Sequence, residues 1–129
     1  MPTILVVDDE EVVRSVVRDM LAPAGYTILD TGDPQHALRL AREQPVHLLL
    51  TDVIMPLMKG PELAAELAAK LHALSPTTRI LLMSAYPISE VAASGRAFIS
   101  KPFGVQGLND KVRQVLEQSS PFARPSRPS

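Results

Sequence analysis

The chain turns on residues 46–60, VHLLLTDVIMPLMKG. Val46, Leu48, Leu49 and Leu50 make a short apolar run, broken only by His47, that stops at Thr51-Asp52. Such a run suits a strand buried on both faces of a sheet. In open parallel α/β sheets, ligands bind outside the carboxyl ends of the strands. Asp52 is therefore either a site residue or the cap of a helix that follows its strand. The next residues disfavour the cap, because Val53-Ile54-Met55-Pro56 is apolar, ends in proline and reaches Gly60 before any helical pattern begins. Asp52 opens a loop of its own, and the neighbouring segments decide whether that loop belongs to a site.

Upstream, residues 3–7 (TILVV) read as a buried strand that also ends in acids, Asp8, Asp9 and Glu10. From 10 to about 22, Val13, Val16, Val17, Met20 and Leu21 share one helical face, with Arg14, Ser15, Arg18 and Asp19 on the other. Pro23 and Gly25 stop this helix, and residues 26–31 (YTILDT) give a shorter, more polar strand suited to a sheet edge. Asp33-Pro34 reads as an N-cap followed by proline at the first helical position, opening a second helix through Ala37, Leu38, Leu40 and Ala41 that stops before Pro45.

Downstream, Gly60-Pro61 starts a third helix with Leu63, Leu67, Leu71 and Leu74 along one side, ending at Ser75-Pro76. Residues 79–83 (RILLM) are the next buried strand, closed by Ser84-Ala85. Between Pro87 and Arg96 there is room for barely two helical turns, so a short or irregular fourth helix is expected. Residues 97–100 (AFIS) form the last strand, closed by Lys101-Pro102, and Leu108, Val112, Val115 and Leu116 mark a final helix over about 105–118. The remainder, SSPFARPSRPS, is expected to be a disordered tail or linker over 119–129, leaving one domain over 1–118.

Composition narrows the function. The 129 residues are 46% hydrophobic, enough for one well-filled core, and 13 basic against 14 acidic residues occur without a long run of either sign. No nucleic-acid or membrane footprint is expected from such a balance. Zero cysteines exclude disulfides and thiolate metal sites. No apolar stretch approaches the roughly 20 residues needed to span a bilayer, and no secretory signal is visible, so a cytoplasmic location is expected.

Five strands alternating with five helices predict a parallel sheet with helices on both faces and right-handed crossovers. Asp8, Asp9, Asp52, Ser84 and Lys101 all follow strand ends, which in a parallel sheet lie on one edge. Carboxylates brought within about 4–6 Å of each other repel by roughly 1 kcal/mol per pair in water and about 4 at an intermediate dielectric. Lys101 offsets part of this, and a hard divalent cation such as Mg²⁺ could offset more. Such a site can cradle a phosphoryl group: Asp52 as nucleophile, Lys101 and the metal balancing charge on its oxygens, and the Ser84 hydroxyl donating a hydrogen bond to one of them.

With VVDDE at 6–10, TDVIMPLMKG at 51–60, MSA at 83–85 and FISKPF at 98–103, in this order and each at a strand end, the chain resembles the response regulator receiver domains of two-component signalling over about 3–118. The resemblance implies the flavodoxin-like doubly wound (βα)5 fold, with a parallel sheet of order 2-1-3-4-5. It further implies Mg²⁺ at Asp9 and Asp52, with Asp8 acting mostly through water and the Ile54 backbone carbonyl as a further ligand. Asp52 would accept the phosphoryl group from a histidine kinase or histidine phosphotransfer protein. Ser84 and Phe98 would be the switch pair. The protein would be a signalling phosphoacceptor, monomeric or weakly dimeric, that catalyses only its own phosphorylation and dephosphorylation. It could be free-standing or part of a hybrid kinase.

Two other classes compete. A hydrolase of the haloacid dehalogenase type also forms an aspartyl phosphate, but its nucleophile opens a DxD motif after the first strand, a spacing that VVDDE lacks. A receiver fold used as a binding module without phosphorylation remains an alternative, opposed by the intact acidic set and favoured by the shortened fourth helix. Only 17 positions separate Ser84 from Lys101, shorter than receivers usually have by about a turn and a half of helix. Ile54 and Tyr86, two positions after Asp52 and Ser84, stand where polar side chains in such domains can orient an attacking water. A bulky aliphatic and an aromatic there should obstruct it, so a long-lived phosphate is expected. Ile54→Asn should hasten release of label from phosphorylated protein, and loss of label within seconds from the unaltered chain would contradict the expectation.

Overall fold

The apolar runs become the strands of one sheet. In the computed structural model, which describes residues 2–52, 69–71, 73, 77–84 and 97–117, these are β1 (Thr3–Val7), β2 (Thr27–Thr31), β3 (Leu48–Asp52), β4 (Arg79–Ser84) and β5 (Ala97–Ser100). All pairings are parallel, and the order is β2-β1-β3-β4-β5. This is the flavodoxin-like α/β arrangement expected from the sequence, with its topological switch point between β1 and β3.

Alternation along the strands splits the core in two. Ile4, Val6, Leu48, Leu50, Leu81 and Met83 face Val17 and Leu21 of α1 (Glu11–Leu21) and Leu108, Val112 and Val115 of the final helix (Val105–Leu116). Leu5, Val7 and Leu49 point the other way, against Ala37 and Leu38 of α2 (Pro34–Glu43), Val46 and Leu71. Because β1 and β3 feed both clusters, their sequences are apolar at successive positions. β2 lies at the edge and is only partly buried over Ile28, Leu29 and Asp30, which accounts for its mixed composition.

Local chemistry fixes the helix ends. The Asp33 carboxylate accepts the Gln35 amide at 2.9 Å and Pro34 occupies the first turn, the cap expected from the sequence. α1 ends in a 3₁₀ turn, Ala22–Ala24, closed by Gly25 at φ 98°, a left-handed conformation open to glycine. The Asn109 side-chain amide donates to the Met20 carbonyl at 2.9 Å, tying the final helix to the last turn of α1.

Residues 69–71 and 73 are helical, and buried Leu71 joins the second cluster, as the reading of a third helix requires. The other residues of the expected third helix, the expected loop carrying Ile54, the expected short or irregular fourth helix with Tyr86, and the 119–129 segment lie outside the described residues. Among the described residues, no helix is long and apolar enough to cross a membrane.

Leu50, fully buried at the centre of the sheet, should be the costlier of two truncations. Leu50→Ala is expected to lower unfolding free energy by about 2–5 kcal/mol. Val12→Ala, at a position 74% exposed, should stay within about 0.5 kcal/mol, as read by urea denaturation followed by circular dichroism.

Candidate functional site

Strand parity gathers the polar residues. Val6, Leu50 and Ile99 face the layer formed by α1 and the final helix. Asp8, Asp52 and Lys101 follow each of them by two positions and emerge on that same face, at the carboxyl edge. Lys101 Nζ donates to Asp52 Oδ2 at 2.9 Å and to Asp8 Oδ2 at 3.4 Å. Asp8, Asp9 and Asp52 each present a carboxylate oxygen, all within 4.8 Å of one another. Asp8 and Asp52 are buried, whereas Asp9 and Lys101 are partly exposed and open the site to the outside.

Asp8 is held from every side. Its amide donates to the Thr31 carbonyl at 3.2 Å, and its Oδ1 accepts the Glu10 amide at 2.9 Å. Its carbonyl accepts Arg14 Nη1 at 2.7 Å, while Arg14 Nε donates to Asp30 Oδ2 at 3.0 Å. Arg18 reaches the other Asp30 oxygen at 2.9 Å. The guanidinium of Arg14 lies over Gly32, where a Cβ would stand 2.8 Å from Nη1.

Charge is unevenly compensated. Burial is the main reason that the Asp8 carboxyl is pushed up to about 6; the Asp52 charge and hydrogen bond add to the rise, against the pull of the Glu10 amide and Lys101. Burial alone would lower the Lys101 ammonium, but its hydrogen bond and charge interaction with Asp52, joined by those with Asp8, outweigh that and hold it above its ordinary value. Among the described residues, Asp8 and Asp52 share one lysine and Asp9 joins them in an all-oxygen donor set. Mg²⁺ and Ca²⁺ are the ions such donors suit.

The four residues Asp8, Asp9, Asp52 and Lys101, read from the sequence as one cluster, are brought together. The backbone of Ser84 ends β4 beside Ser100, and its side chain lies outside the described residues, as does the Ile54 carbonyl. Phe98 pairs with Leu82 and lies, partly buried, on the sheet face opposite Lys101. Arg14 and Gly32 were not among the sequence candidates. An arginine on the polar face of a helix reads as solvated, and the only signal was an acid, Asp30, near the end of an edge strand.

Residues 4–113 match the response regulator receiver domain. The chain is 32% identical over 126 residues to the DNA-binding transcriptional regulator NtrC of Azospirillum brasilense, covering 94% of this chain and 25% of that protein. Among curated relatives of this kind the chain spans between 8% and 57% of their length. The crystal structure of the receiver domain of the hybrid histidine kinase CckA superposes with a TM-score of 0.73 at 34% identity, covering 89% of this chain and 99% of that one. The response regulator TrrA of Thermotoga maritima, crystallised with Mg²⁺ and BeF, gives a TM-score of 0.74 at 28% identity with the same 89% and 99% coverage. A match that begins in β1 and runs into the final helix, on a sheet of this order, makes the chain a member of the response regulator receiver domain family of two-component systems.

Proposed function

We propose that Asp52 is the phosphoacceptor of this receiver, taking a phosphoryl group from a phosphohistidine on a histidine kinase or histidine phosphotransfer protein in the cytoplasm. The observation that carries the proposal is the contact of Lys101 Nζ with Asp52 Oδ2 at 2.9 Å inside a cluster of three carboxylates. A lysine serving only to neutralise an acid needs one partner. Among the described residues, Lys101 is shared by Asp8 and Asp52 within a cluster of three carboxylates, an oxygen donor set that suits a divalent cation.

Asp9, Asp52, Asp8 and the Ile54 carbonyl would hold Mg²⁺, which supplies positive charge against the phosphoryl oxygens. A carboxylate oxygen of Asp52 attacks phosphorus, the P–N bond to the donor histidine breaks, and the electron pair leaves on the histidine nitrogen. No general base is required, because the nucleophile carries no proton to remove. Lys101, already within hydrogen-bond reach of Asp52, is positioned to bind a phosphoryl oxygen, and the Ser84 hydroxyl would take another. Ser84 at the end of β4 and Phe98 in β5 would then carry the switch.

The donor would approach over α1. Val12, 74% exposed, and Val16, 44% exposed, border a hollow with Met20, Pro102 and Phe103 whose rim includes Lys101. An amphipathic helix that brings a histidine to Asp52 could bury its apolar side chains there.

Intact mass after incubation with acetyl phosphate and Mg²⁺ should rise by one phosphoryl group in the unaltered chain. It should not rise in Asp52→Asn or without metal. Val12→Asp should leave this reaction unchanged while slowing transfer from a phosphorylated donor protein. No mass gain in folded protein would favour a binding module that works without phosphorylation.

The raised Asp8 value sets a sign for pH dependence. A carboxyl that moves from 3.8 to about 6 on folding binds its proton more tightly in the folded state, so the metal-free fold loses stability as pH rises through that window. Above it, Asp8→Asn should stabilise the metal-free protein by about 1–3 kcal/mol. Mg²⁺ competes with the same proton, so the increase in Tm that it produces should be larger at pH 8 than at pH 5. Equal increases at both would contradict the assignment of Asp8 to the metal site.

A further inference from the structure

We infer that Arg14, held by Asp30 and seated over Gly32, is a positioning residue that sets the orientation of the Asp8-Asp9 peptide and thereby the affinity of the acidic cluster for a divalent cation. The inference rests on the metal-binding reading of that cluster.

The Arg14–Asp30 ion pair is partly exposed, and by itself such a pair contributes little to stability. The third bond gives it a different role. Arg14 Nη1 reaches the Asp8 carbonyl at 2.7 Å, a short charge-assisted hydrogen bond. That oxygen lies in one plane with the amide nitrogen and Cα of Asp9, because the peptide unit is rigid. Fixing the carbonyl fixes the direction in which Asp9 leaves the turn. Asp8 has its Thr31, Glu10 and Lys101 contacts as well, whereas the described bonds give the Asp9 side chain no comparable restraint.

Gly32 makes the arrangement possible. A Cβ at this position would lie 2.8 Å from Arg14 Nη1, 3.3 Å from the Asp8 carbonyl and 3.4 Å from Asp9 Cα. The first of these is too close, and the flexible guanidinium is the group that would give way. Asp30 serves a second purpose, since it offsets part of the positive charge that Arg14 and Arg18 together bring to this side of the turn.

Charge and position predict opposite signs. If Arg14 acted only through its charge, its removal would relieve repulsion and tighten cation binding. If it positions the turn, its removal weakens binding, and changes to such outer partners of a metal site commonly cost about 10–100-fold in affinity. Arg14→Lys keeps the charge but cannot span Asp30 and the Asp8 carbonyl together, so it should behave like Arg14→Gln. Gly32→Ala keeps every charge and displaces the guanidinium.

The experiment is an amide-shift NMR titration of the full 129-residue chain with Mg²⁺, with thermal unfolding of each metal-free variant alongside. Arg14→Gln, Arg14→Lys and Gly32→Ala should each weaken Mg²⁺ binding about tenfold or more. Asn109→Ala, which loosens α1 at its far end, should lower Tm without changing Mg²⁺ affinity. Unchanged or tighter binding in Arg14→Lys and Gly32→Ala overturns the inference while leaving the phosphoacceptor site intact. A wild-type chain that binds no Mg²⁺ overturns the metal site and the inference together. Should Arg14→Gln fail to fold, the two charge-conserving variants decide alone.

Discussion

A buried Asp8 carboxylate beside a second one on Asp52 is the constraint around which this edge of the sheet is built. Burial pushes the Asp8 carboxyl up, and the charge of the neighbouring Asp52 adds to that cost. Lys101 answers part of the demand with one ammonium shared between them, and the Glu10 amide answers another part. An ordinary core would replace one acid with an apolar residue and lose the repulsion. Retaining both beside Asp9 preserves an excess of oxygen donors whose natural complement is a hard cation.

The sheet makes that retention possible at modest cost to the rest of the fold. In a parallel arrangement every strand delivers its last residues to one edge, and period-two alternation decides which of them share a face. The apolar residues Val6, Leu50 and Ile99 bind the sheet to the layer above it. The next positions of like parity are Asp8, Asp52 and Lys101. Packing and chemistry are thus adjacent turns of one alternation, and a one-residue slip of register would send the acids to the opposite face.

This explains which features were legible in the residues alone. The strands announced themselves as apolar runs, the Asp33-Pro34 cap as a dipeptide, and the acidic edge as polar residues placed where runs stop. Each is a local signal, and parallel topology converts all of them into one place. Arg14 escaped because its role depends on two things no local pattern records: Asp30 standing beside α1 across the β1–β2 pairing, and the missing side chain at Gly32. His47 and His36 have local partners: the Thr3 amide donates to His47 Nδ1 at 2.9 Å, and His36 Nδ1 lies 2.9 Å from Thr31 Oγ1. The last strand was legible as an element, but Phe98 as a switch residue came only through family resemblance, since an aromatic on a strand is by itself core material.

α1 is where these strands of argument meet, because its surface divides into three faces at about 100° per residue. Val17 and Leu21 fasten it to the sheet, Arg14 and Arg18 fasten it to Asp30, and Val12 and Val16 are left exposed beside Lys101. A partner that docks on the third face presses on a helix whose second face holds the carbonyl preceding Asp9. Rigid helices transmit displacement well and bend poorly, so docking and the geometry of the acidic turn are mechanically adjacent. The planar fork of Arg14, fixed at one end on the Asp30 carboxylate and at the other on the Asp8 carbonyl, ties the helix to the turn in a way that a lysine could not.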